Sequence, residues 1–267
     1  MIPKHISSFE KQFFDESHKD EIYIDPTARV SPNAKLARGV KIGPYSVIMG
    51  DVSIGEYTQV YSHVIIGSPA QDINTRETKG TVSIGARNIL KEFVTIGSPK
   101  IDTGETRIGD DCFIMNFSHV AHDATLEDRV ILTNNSQIGG HAYIEHDVLM
   151  MANSGVHQFG RIGAYTALSP FGGARQDLPP FSLFTETPAL FAGLNRIKLK
   201  RAGISAESIE NIKTITHLFY TKKIPFIEIE EQANQNDSLK NDRYVQKFLS
   251  FIRESSRGVS RRSVTDR

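Results

Sequence analysis

Several absences narrow the possibilities for this 267-residue chain. It has no tryptophan and a single cysteine, Cys112, so a framework of internal disulfides is excluded. This cysteine usage fits a reducing compartment, and a lone cysteine is most often a small buried apolar residue rather than a nucleophile. No apolar run approaches the roughly 20 residues of a transmembrane helix. The N-terminal residues carry scattered charges without an apolar core, which is unlike a secretory signal. The sequence therefore predicts a cytoplasmic protein without membrane insertion.

An excess of charge of either sign is also missing. Lys+Arg and Asp+Glu both total 31, which gives a formal net charge of +0. No global charge therefore points to nucleic acid or to a membrane surface as a partner. With 39% hydrophobic residues the chain is long enough to bury a sizeable core, as one large domain or two smaller ones.

What the sequence does contain is an aliphatic residue at every sixth position. The repeat runs through three stretches that share one phase, residues 24–66, 84–96 and 108–168. A period of six fits neither an α-helix nor an ordinary sheet, but it is the signature of a parallel β-helix. Each hexapeptide supplies one short strand and a turn, and three of them make one coil of the prism, about 18 residues. The members are Ile24, Val30, Leu36, Ile42, Ile48, Ile54, Val60, Ile66, Ile84, Leu90, Ile96, Ile108, Ile114, Val120, Leu126, Leu132, Ile138, Ile144, Met150, Val156, Ile162 and Leu168.

Two polar stretches interrupt the repeat and are predicted to be loops. Residues 68–81 and 98–107 carry Pro and Gly and leave the regular pattern. Loops on a rigid scaffold are good places for ligand contacts, although connectors without a role are the commoner case.

The repeat sets the predicted domain boundaries. Residues 22–191 are assigned to an all-β parallel β-helix, and residues 192–256 to a small C-terminal helical domain of two or three helices. Residues 1–21 read as an extension, either a short packed helix or a partly ordered tail, and residues 257–267 as a basic, frayed tail. The helical assignment rests on two apolar stripes, namely Ile209, Ile212, Ile215, Leu218 and Phe219, then Tyr244, Phe248, Phe251 and Ile252.

Five of the nine histidines lie between residues 119 and 157. Val120, Ile138 and Val156 are 18 residues apart, so they should stack in successive coils about 4.8 Å apart. Three histidines, His122, His141 and His157, follow these positions within three residues, and Asn134, Asn135 and Gln158 lie in the same coils. Each histidine taken alone is adequately explained as a solvated turn residue. Their coincidence predicts a cleft along one face, covered by another subunit.

An ordered set of motifs makes a family resemblance specific. The motifs are Ser118-His119-Val120-Ala121-His122-Asp123, Ile138-Gly139-Gly140-His141, Val156-His157-Gln158-Phe159, Gln71-Asp72, Gln176-Asp177-Leu178-Pro179-Pro180, Gly193-Leu194-Asn195 and Leu199-Lys200-Arg201-Ala202-Gly203. Over about residues 24–260 the chain resembles the acyl-ACP–UDP-N-acetylglucosamine O-acyltransferases, which begin lipid A biosynthesis. The resemblance implies a left-handed β-helix and a homotrimer with active sites between prisms. It also implies acyl carrier protein and a UDP-sugar as partners.

The resemblance also implies roles for individual residues. His122 would be the general base, Asp123 would orient or polarise it, and the backbone N–H of Gly140 would stabilise the oxyanion. An imidazole suits the task because its unperturbed pKa of about 6.5 lies near working pH. No metal and no cofactor is implied, since the carrier supplies the acyl-phosphopantetheine. The implied substrate-binding residues are Gln71, Asp72, His119, His141, His157, Gln158, Asn195 and Arg201. Arg196, Lys198 and Lys200 would join Arg201 in a basic corner suited to the acidic carrier.

Four segments depart from the family pattern. They are Ile73-Asn74-Thr75, Gly97-Ser98-Pro99, Ala202 and Ser169-Pro170-Phe171. They affect contacts expected for the nucleotide, the carrier and the acyl chain, and leave open a variant sugar, a variant acyl chain or a divergent paralogue.

Three other functions remain open on sequence alone. The H-x4-H spacing of His141 and His146 resembles the zinc site of γ-type carbonic anhydrases, but a third histidine ligand is missing upstream. The chain could also be a non-catalytic binding paralogue, or a related hexapeptide acyltransferase that acts on an amino-sugar nucleotide.

Overall fold

In the computed structural model, which describes residues 18–74 and 80–266, the six-residue repeat forms a three-sided prism of parallel strands. Most strands are two residues long, because each spans one flat side before the chain turns. In chain order the strands are β1 Tyr23–Ile24, β2 Arg29–Val30, β3 Lys35–Leu36, β4 Lys41–Ile42, β5 Val47–Ile48, β6 Val52–Ile54, β7 Gln59–Val60, β8 Ile65–Ser68, β9 Thr81–Ile84, β10 Ile89–Leu90, β11 Thr95–Gly97, β12 Glu105–Ile108, β13 Phe113–Ile114, β14 His119–Val120, β15 Thr125–Leu126, β16 Ile131–Leu132, β17 Gln137–Ile138, β18 Tyr143–Ile144, β19 Leu149–Met150, β20 Gly155–Val156, β21 Arg161–Ile162, β22 Ala167–Leu168, β23 Gly173–Ala174, β24 Ser182–Thr185 and β25 Leu190–Leu194.

Every third strand of the prism joins the same sheet. Sheet A runs β1-β4-β7-β10-β13-β16-β19-β22-β24-β25, sheet B runs β2-β5-β8-β11-β14-β17-β20-β23, and sheet C runs β3-β6-β9-β12-β15-β18-β21. We name the turns that lead from one sheet to the next the A–B, B–C and C–A edges. Val120 pairs with Ile138, and Ile138 with Val156, which confirms the predicted stacking of these three positions. The predicted left-handed β-helix with short C-terminal helices is confirmed.

The repeated aliphatic residues fill the interior of the prism. From Ile42 to Leu168 none of them is more than 5% exposed. Ile24 is 42% exposed, because it lies in the end coil and has no coil beyond it to cover it. Three residues after the aliphatic position the backbone usually turns through positive φ, as at Asp123, His141 and Phe159 (φ 59°, 58° and 61°). This left-handed residue lets the chain turn the corner within four residues, and its side chain lies on the edge.

Both predicted loops leave the prism from the B–C edge. The first follows β8 and the second follows β11. The regular pairing between coils continues on both sides of the loops, since Ile66 pairs with Ile96 and Ile84 pairs with Ile108. The backbone N–H of Ser98 donates to the carbonyl of Ser68 (2.7 Å), so the two loops are joined where they begin.

The C-terminal region begins with a strand pair that the hexapeptide pattern does not predict. Strand β24 continues sheet A in parallel, and β25 returns antiparallel to it. The helices that follow are α1 Arg196–Arg201, α2 Ala206–Thr216, α3 Phe226–Gln235, α4 Asp237–Lys240 and α5 Arg243–Arg253, with a π-helical segment His217–Thr221 after α2 and a 3₁₀ turn Val264–Asp266. The predicted number of helices was wrong, since the short segments α1 and α4 carry little periodicity. In the described chain, no helix combines the length and apolarity that crossing a bilayer requires.

Both predicted apolar stripes pack into the core. In α2 the buried members are Ile209, Ile212 and Ile215, and in α5 Phe248 and Phe251 are buried. Polar side chains cap the helices. The Ser205 hydroxyl accepts from the backbone N–H of Ser208, and the Asp242 carboxylate accepts from the N–H of Tyr244.

The C-terminal tail packs on the body, so the prediction of a frayed tail was wrong. Val259 forms a β-bridge with Asp177, and Ser263 forms one with Phe191. The hydroxyl of Ser260 donates to the carbonyl of Ala189 (2.6 Å). Short polar segments of this kind give no periodic signal because backbone bridges hold them in place. Of the predicted N-terminal extension, residues 1–17 lie outside the described residues.

Buried carboxylates join the prism to the helical region. Glu145, 1% exposed, accepts from Arg161 of the prism (2.6 Å) and from Lys247 of α5 (2.9 Å). Asp147 on the C–A edge accepts from Arg129 of the prism and Lys198 of α1, both at 2.9 Å. Each carboxylate thus has one partner in the prism and one in the helical region. The pairing compensates a charge that burial would otherwise make costly.

Replacing Asp147 by Asn tests this junction. Burial alone raises the pKa of the Asp147 carboxyl, but hydrogen bonds from Arg129, His146 and Lys198 outweigh it and lower the pKa to about 2. The unfolded chain, with a pKa of about 3.9, binds the proton first as the pH falls. The stabilisation is therefore complete above about pH 4 and is lost between about pH 4 and pH 2. We expect Asp147→Asn to lower the free energy of unfolding by about 2 kcal/mol at pH 7, measured by urea denaturation at fixed protein concentration. A deficit that persists undiminished at pH 2 would contradict this account.

Candidate active site

Three successive turns of the B–C edge hold the residues singled out in the sequence. They follow β14, β17 and β20, so that His122, Gly140 and Gln158 occupy the same turn position in consecutive coils. Asp123 and His141 occupy the next position in the first two turns. The coil register alone thus places His122 beside Gly140.

His122 and Asp123 form a hydrogen-bonded pair at this edge. His122 Nδ1 donates to Asp123 Oδ2 at 2.8 Å, and His122 is only 8% exposed. An ionised carboxylate only accepts, so the pairing puts the imidazole proton on Nδ1 and leaves Nε2 with its lone pair. Asp123 is itself held by its own backbone N–H, which donates to Thr106 Oγ1 (2.9 Å), and by the backbone N–H of Lys100, which donates to Asp123 Oδ2 (2.9 Å). The arrangement is that of a general base with an orienting acid.

Gly140 lies directly against the free nitrogen of His122. A Cβ built on Gly140 would lie 2.6 Å from both Nε2 and Cε1 of His122, closer than real Cβ atoms come. The backbone N–H of Gly140 donates to no group in residues 18–74 and 80–266, which leaves it for a ligand. The imidazole of His122 therefore packs against Gly140, whose backbone N–H has no acceptor among the described residues.

His141 borders the pair on the next coil. Its ring meets the ring of His122 edge-on (centroids 5.1 Å apart, 88°), and its Nε2 lies 3.7 Å from Asp123 Oδ2. On its other side His141 stacks on Phe159 (4.6 Å, 3°), which is 52% exposed. Sequence reasoning did not assign Phe159 to the site. The signal was present, because Phe159 lies 18 residues after His141 and so directly next to it.

His157 makes different contacts from His122 and His141. It lies on the same edge one coil further on and is exposed, as Gln158 is. Its Nδ1 is 3.0 Å from the carbonyl oxygen of Gln158 and 3.3 Å from Nη2 of Arg257, which reaches back from the C-terminal segment. A direct ring contact joins His122 and His141, whereas the contacts of His157 are with the Gln158 carbonyl and Arg257.

Two asparagines expected near the histidines belong to another edge. Asn134 and Asn135 follow β16 on the A–B edge, where Asn135 Nδ2 donates to Asn153 Oδ1 (2.7 Å). They share coils with the histidines, as predicted, but lie on a different edge of the prism.

His119 lies on the outer face of sheet B beside the turn. It is partly buried, and its Nδ1 is 2.8 Å from Thr95 Oγ1. Burial lowers the pKa of His119, and the nearby His122 acts in the same direction. His119 is therefore suited to be a neutral hydrogen-bonding group near the base.

The first loop brings Asp72 to the same edge. Asp72 Oδ2 accepts from Lys100 Nζ of the second loop (2.6 Å), and Oδ1 accepts from the backbone N–H of Asn74 (2.8 Å). These hydrogen bonds, with Lys100 the larger cause, hold the pKa of the Asp72 carboxyl below its usual range. Gln71 is exposed beside it. Lys100 was not identified from the sequence, since an irregular loop gives no register.

Asn195 and Arg201 lie on another edge of the same chain. Asn195 precedes α1, and its Nδ2 donates to the carbonyl of Tyr165 in a C–A turn (2.9 Å). Arg201 is exposed in the last turn of α1. One chain therefore does not bring these two residues to His122. In the predicted basic corner Lys198 is paired with Asp147 (2.9 Å) and Arg196 with Glu210 (3.5 Å), while Lys200 and Arg201 are exposed.

The pair of histidines considered as a zinc site is split between edges. His146 lies on the C–A edge, where its Nδ1 is 2.9 Å from Asp147 Oδ2, whereas His141 lies on the B–C edge. Among the residues that the structure describes, the group with ligand atoms close enough to hold a metal is His122, Asp123 and His141, within 4.8 Å of one another. Because Asp123 Oδ2 already accepts hydrogen bonds from His122 and Lys100, this group is explained without an ion.

Comparison with known proteins supports the family resemblance over nearly the whole chain. Residues 177–260 match the family model for domain 2 of UDP-N-acetylglucosamine O-acyltransferase, and residues 33–68 and 105–140 match the bacterial transferase hexapeptide model. The acyl-[acyl-carrier-protein]–UDP-N-acetylglucosamine O-acyltransferase of Herminiimonas arsenicoxydans is 36% identical over 259 residues, which cover 89% of this chain and 99% of that protein. The Janthinobacterium enzyme of the same name is 37% identical with the same coverage. The chain belongs to this family.

A solved structure of the family supports the assignment of the fold. The Francisella novicida UDP-N-acetylglucosamine acyltransferase superposes with a TM-score of 0.81 at 28% identity and covers 92% of this chain and 96% of that one. The resemblance stated from the motifs is thus confirmed. Of the segments that depart from the family pattern, Ser169–Phe171 lies in an A–B turn, with Phe171 71% exposed, and Ala202 is the C-cap of α1.

Adding a methyl group at Gly140 tests the contact with His122. We expect Gly140→Ala to lower kcat by about 10²–10³, because the new Cβ would lie 2.6 Å from two ring atoms of His122 and must displace the imidazole. Gly155→Ala is the matched control, since the nearest atoms to a Cβ there are 3.6 and 3.7 Å away on the neighbouring Gln137. Steady-state turnover and thermal unfolding of both variants are measured. Equal activity of the two variants would show that the contact at Gly140 is irrelevant.

Proposed function

We propose that this protein transfers an acyl group from acyl carrier protein to the 3-hydroxyl of UDP-N-acetylglucosamine, the first step of lipid A biosynthesis. The observation that carries the proposal is the His122–Asp123 pair, whose imidazole packs against Gly140, a residue whose backbone N–H has no acceptor in residues 18–74 and 80–266. The names of relatives 36% and 37% identical over most of the chain supply the substrates.

The geometry supports a general-base mechanism. His122 Nε2 removes the proton from the sugar hydroxyl as its oxygen attacks the thioester carbonyl. The N–H of Gly140 donates to the oxyanion of the tetrahedral intermediate. Asp123 stabilises the imidazolium that forms, as buried carboxylates beside a catalytic histidine do. When the intermediate collapses, the C–S bond breaks and the imidazolium returns the proton to the pantetheine thiolate.

The substrates occupy the surroundings of this pair. Asp72, Gln71, His119, His141, His157 and Gln158 contact the nucleotide-sugar or the acyl-phosphopantetheine. No metal or further cofactor takes part, since the base and the oxyanion donor are both groups of the chain and the carrier supplies the activated acyl group.

A homotrimer completes the site. In one chain the catalytic pair lies on the B–C edge, whereas Asn195 and Arg201 lie near the C–A edge and in α1. A neighbouring copy that packs its C–A side against the B–C edge brings the two halves together. The exposed Lys200 and Arg201 then receive the acidic carrier. Both substrates and the single cysteine fit a protein that works in the cytoplasm.

Acyl transfer to two acceptors tests the function. Thiol release from acyl carrier protein is followed with UDP-N-acetylglucosamine and with its 3-amino analogue. We expect transfer to the hydroxyl, a loss of about 10²–10⁴ in kcat for His122→Ala, and full activity in the presence of EDTA. Transfer to the amino analogue alone would identify an amino-sugar acyltransferase. No transfer to either acceptor, with carrier or sugar nucleotide still bound, would indicate a binding paralogue.

Mixed trimers test the shared site. His122→Ala removes the base on one side of the shared site, and Arg201→Glu removes the carrier contact on the other side. Each variant alone therefore has low activity at a subsaturating concentration of carrier. When the two are unfolded, mixed in equal amounts and refolded, random assembly leaves about a quarter of the sites with both halves intact. We expect activity to return to about that fraction of wild type. Activity that stays at the level of the separate variants would mean that each site belongs to one chain.

A further inference from the structure

One residue, Lys100, contacts both aspartates of the candidate site. Its backbone N–H donates to Oδ2 of Asp123 (2.9 Å), and its side-chain Nζ donates to Oδ2 of Asp72 (2.6 Å). Asp123 belongs to the prism and Asp72 to the first loop, so Lys100 of the second loop connects the catalytic pair to the first loop. Nothing in the mechanism above uses the Lys100 side chain.

The second loop holds Lys100 in place independently of this side-chain contact. The hydroxyl of Ser98 donates to the carbonyl of Gly67 (2.8 Å), and the N–H of Thr81 donates to the carbonyl of Gly104 (3.1 Å). Both ends of the loop are therefore anchored to the strands of the prism. The second loop is thus fixed on both sides of Lys100, and from there the ammonium group reaches Asp72 of the first loop.

Asp72 is left able to bind a ligand. Each of its carboxylate oxygens accepts one hydrogen bond, from Lys100 and from the N–H of Asn74, and each has a further lone pair. The Asp72 side chain is 25% exposed, so these acceptor positions are open to solvent. A carboxylate kept ionised and fixed in direction recognises donors, such as the hydroxyl and imide N–H groups of a nucleotide-sugar.

We propose that Lys100 is a positioning residue for the nucleotide-sugar: its ammonium group aligns the Asp72 carboxylate with the site that His122 and Asp123 form. The inference rests on the proposed function for the identity of the ligand. Lys100 acts on binding and not on the chemical step, because its contact with Asp123 comes from the backbone and survives replacement of the side chain.

Kinetics of side-chain variants test this role. With UDP-N-acetylglucosamine varied at saturating acyl carrier, we expect Lys100→Met to raise KM about tenfold and to leave kcat within about twofold, the pattern of lost uniform binding. Lys100→Arg, which keeps the charge and the donor, should recover most of the loss. Lys91→Met is the matched control, since it removes a lysine paired with Glu92 (3.5 Å) on the A–B edge, and it should leave KM unchanged.

A double variant separates positioning of Asp72 from an independent effect. If Lys100 acts through Asp72, Lys100→Met adds little to Asp72→Asn, so the KM of the double variant equals that of Asp72→Asn alone. Effects that multiply would overturn the proposal. So would an unchanged KM in Lys100→Met, which is the behaviour of an ordinary exposed ion pair, or a lower kcat at unchanged KM.

Calorimetric titration with UDP-N-acetylglucosamine keeps this test separate from the proposed activity. Weaker binding by Lys100→Met than by wild type supports the role of Lys100 even if wild type transfers no acyl group, in which case the proposed function alone fails. An active wild type whose affinity for the sugar nucleotide is unaffected by Lys100→Met overturns the role of Lys100 alone. A wild type that neither binds nor acylates the sugar nucleotide overturns both.

Discussion

Parallel hydrogen bonding between successive coils determines where every side chain of the prism lies. Each strand is too short to be stable alone and depends on the strands one coil before and one coil after it, as Val120, Ile138 and Val156 show. A shift by one residue would expose the aliphatic positions and bury the turn residues, so burial fixes the register. The spacing between a turn residue and its counterpart is therefore set by the backbone. A base on one coil and an N–H donor on the next are held in place before any substrate arrives, which is the preorganisation that electrostatic catalysis requires.

The same register explains which parts of the site follow from the sequence. The adjacency of His122 and Gly140 follows from counting 18 residues along the chain, and Phe159 beside His141 could have been found in the same way. The position of a residue within its turn matters as much as the 18-residue spacing between coils. His157 is one position earlier in its turn than Gln158, and there it contacts Arg257, about 100 residues later in the chain. A contact with a distant segment has no periodic signature, so the contact of His157 with Arg257 was not predictable.

Outside the prism, the sequence predicts which residues are buried better than it predicts where each segment lies. The apolar stripes of α2 and α5 were visible because a helix repeats its buried face, and those faces are buried. The packing of the tail was not visible, because β-bridges at Val259 and Ser263 use backbone groups that every residue has. The contact of Lys100 with Asp72 likewise depends on the path of two irregular loops, and the charge pairs at Glu145 and Asp147 depend on partners from the helical region.

The prism and its loops contribute different groups to the site. His122, Asp123 and Gly140 lie in turns of the prism, as do His141 and Gln158, whereas Asp72 and Lys100 lie in loops attached to it. Of the departures from the family pattern, residues 73–74 lie in the first loop and residues 169–171 in an A–B turn, whereas Gly97 ends β11 and a Cβ built on it would lie 3.3 Å from the backbone nitrogen of His122. Substitutions in the first loop or in the A–B turn alter residues outside the turns that carry His122 and Gly140, whereas a side chain at residue 97 would press on the backbone of His122. The distances among the groups of the prism are hydrogen-bonded coil spacings, whereas the positions of Asp72 and Lys100 depend on the paths of two loops, which can change without a change of coil register.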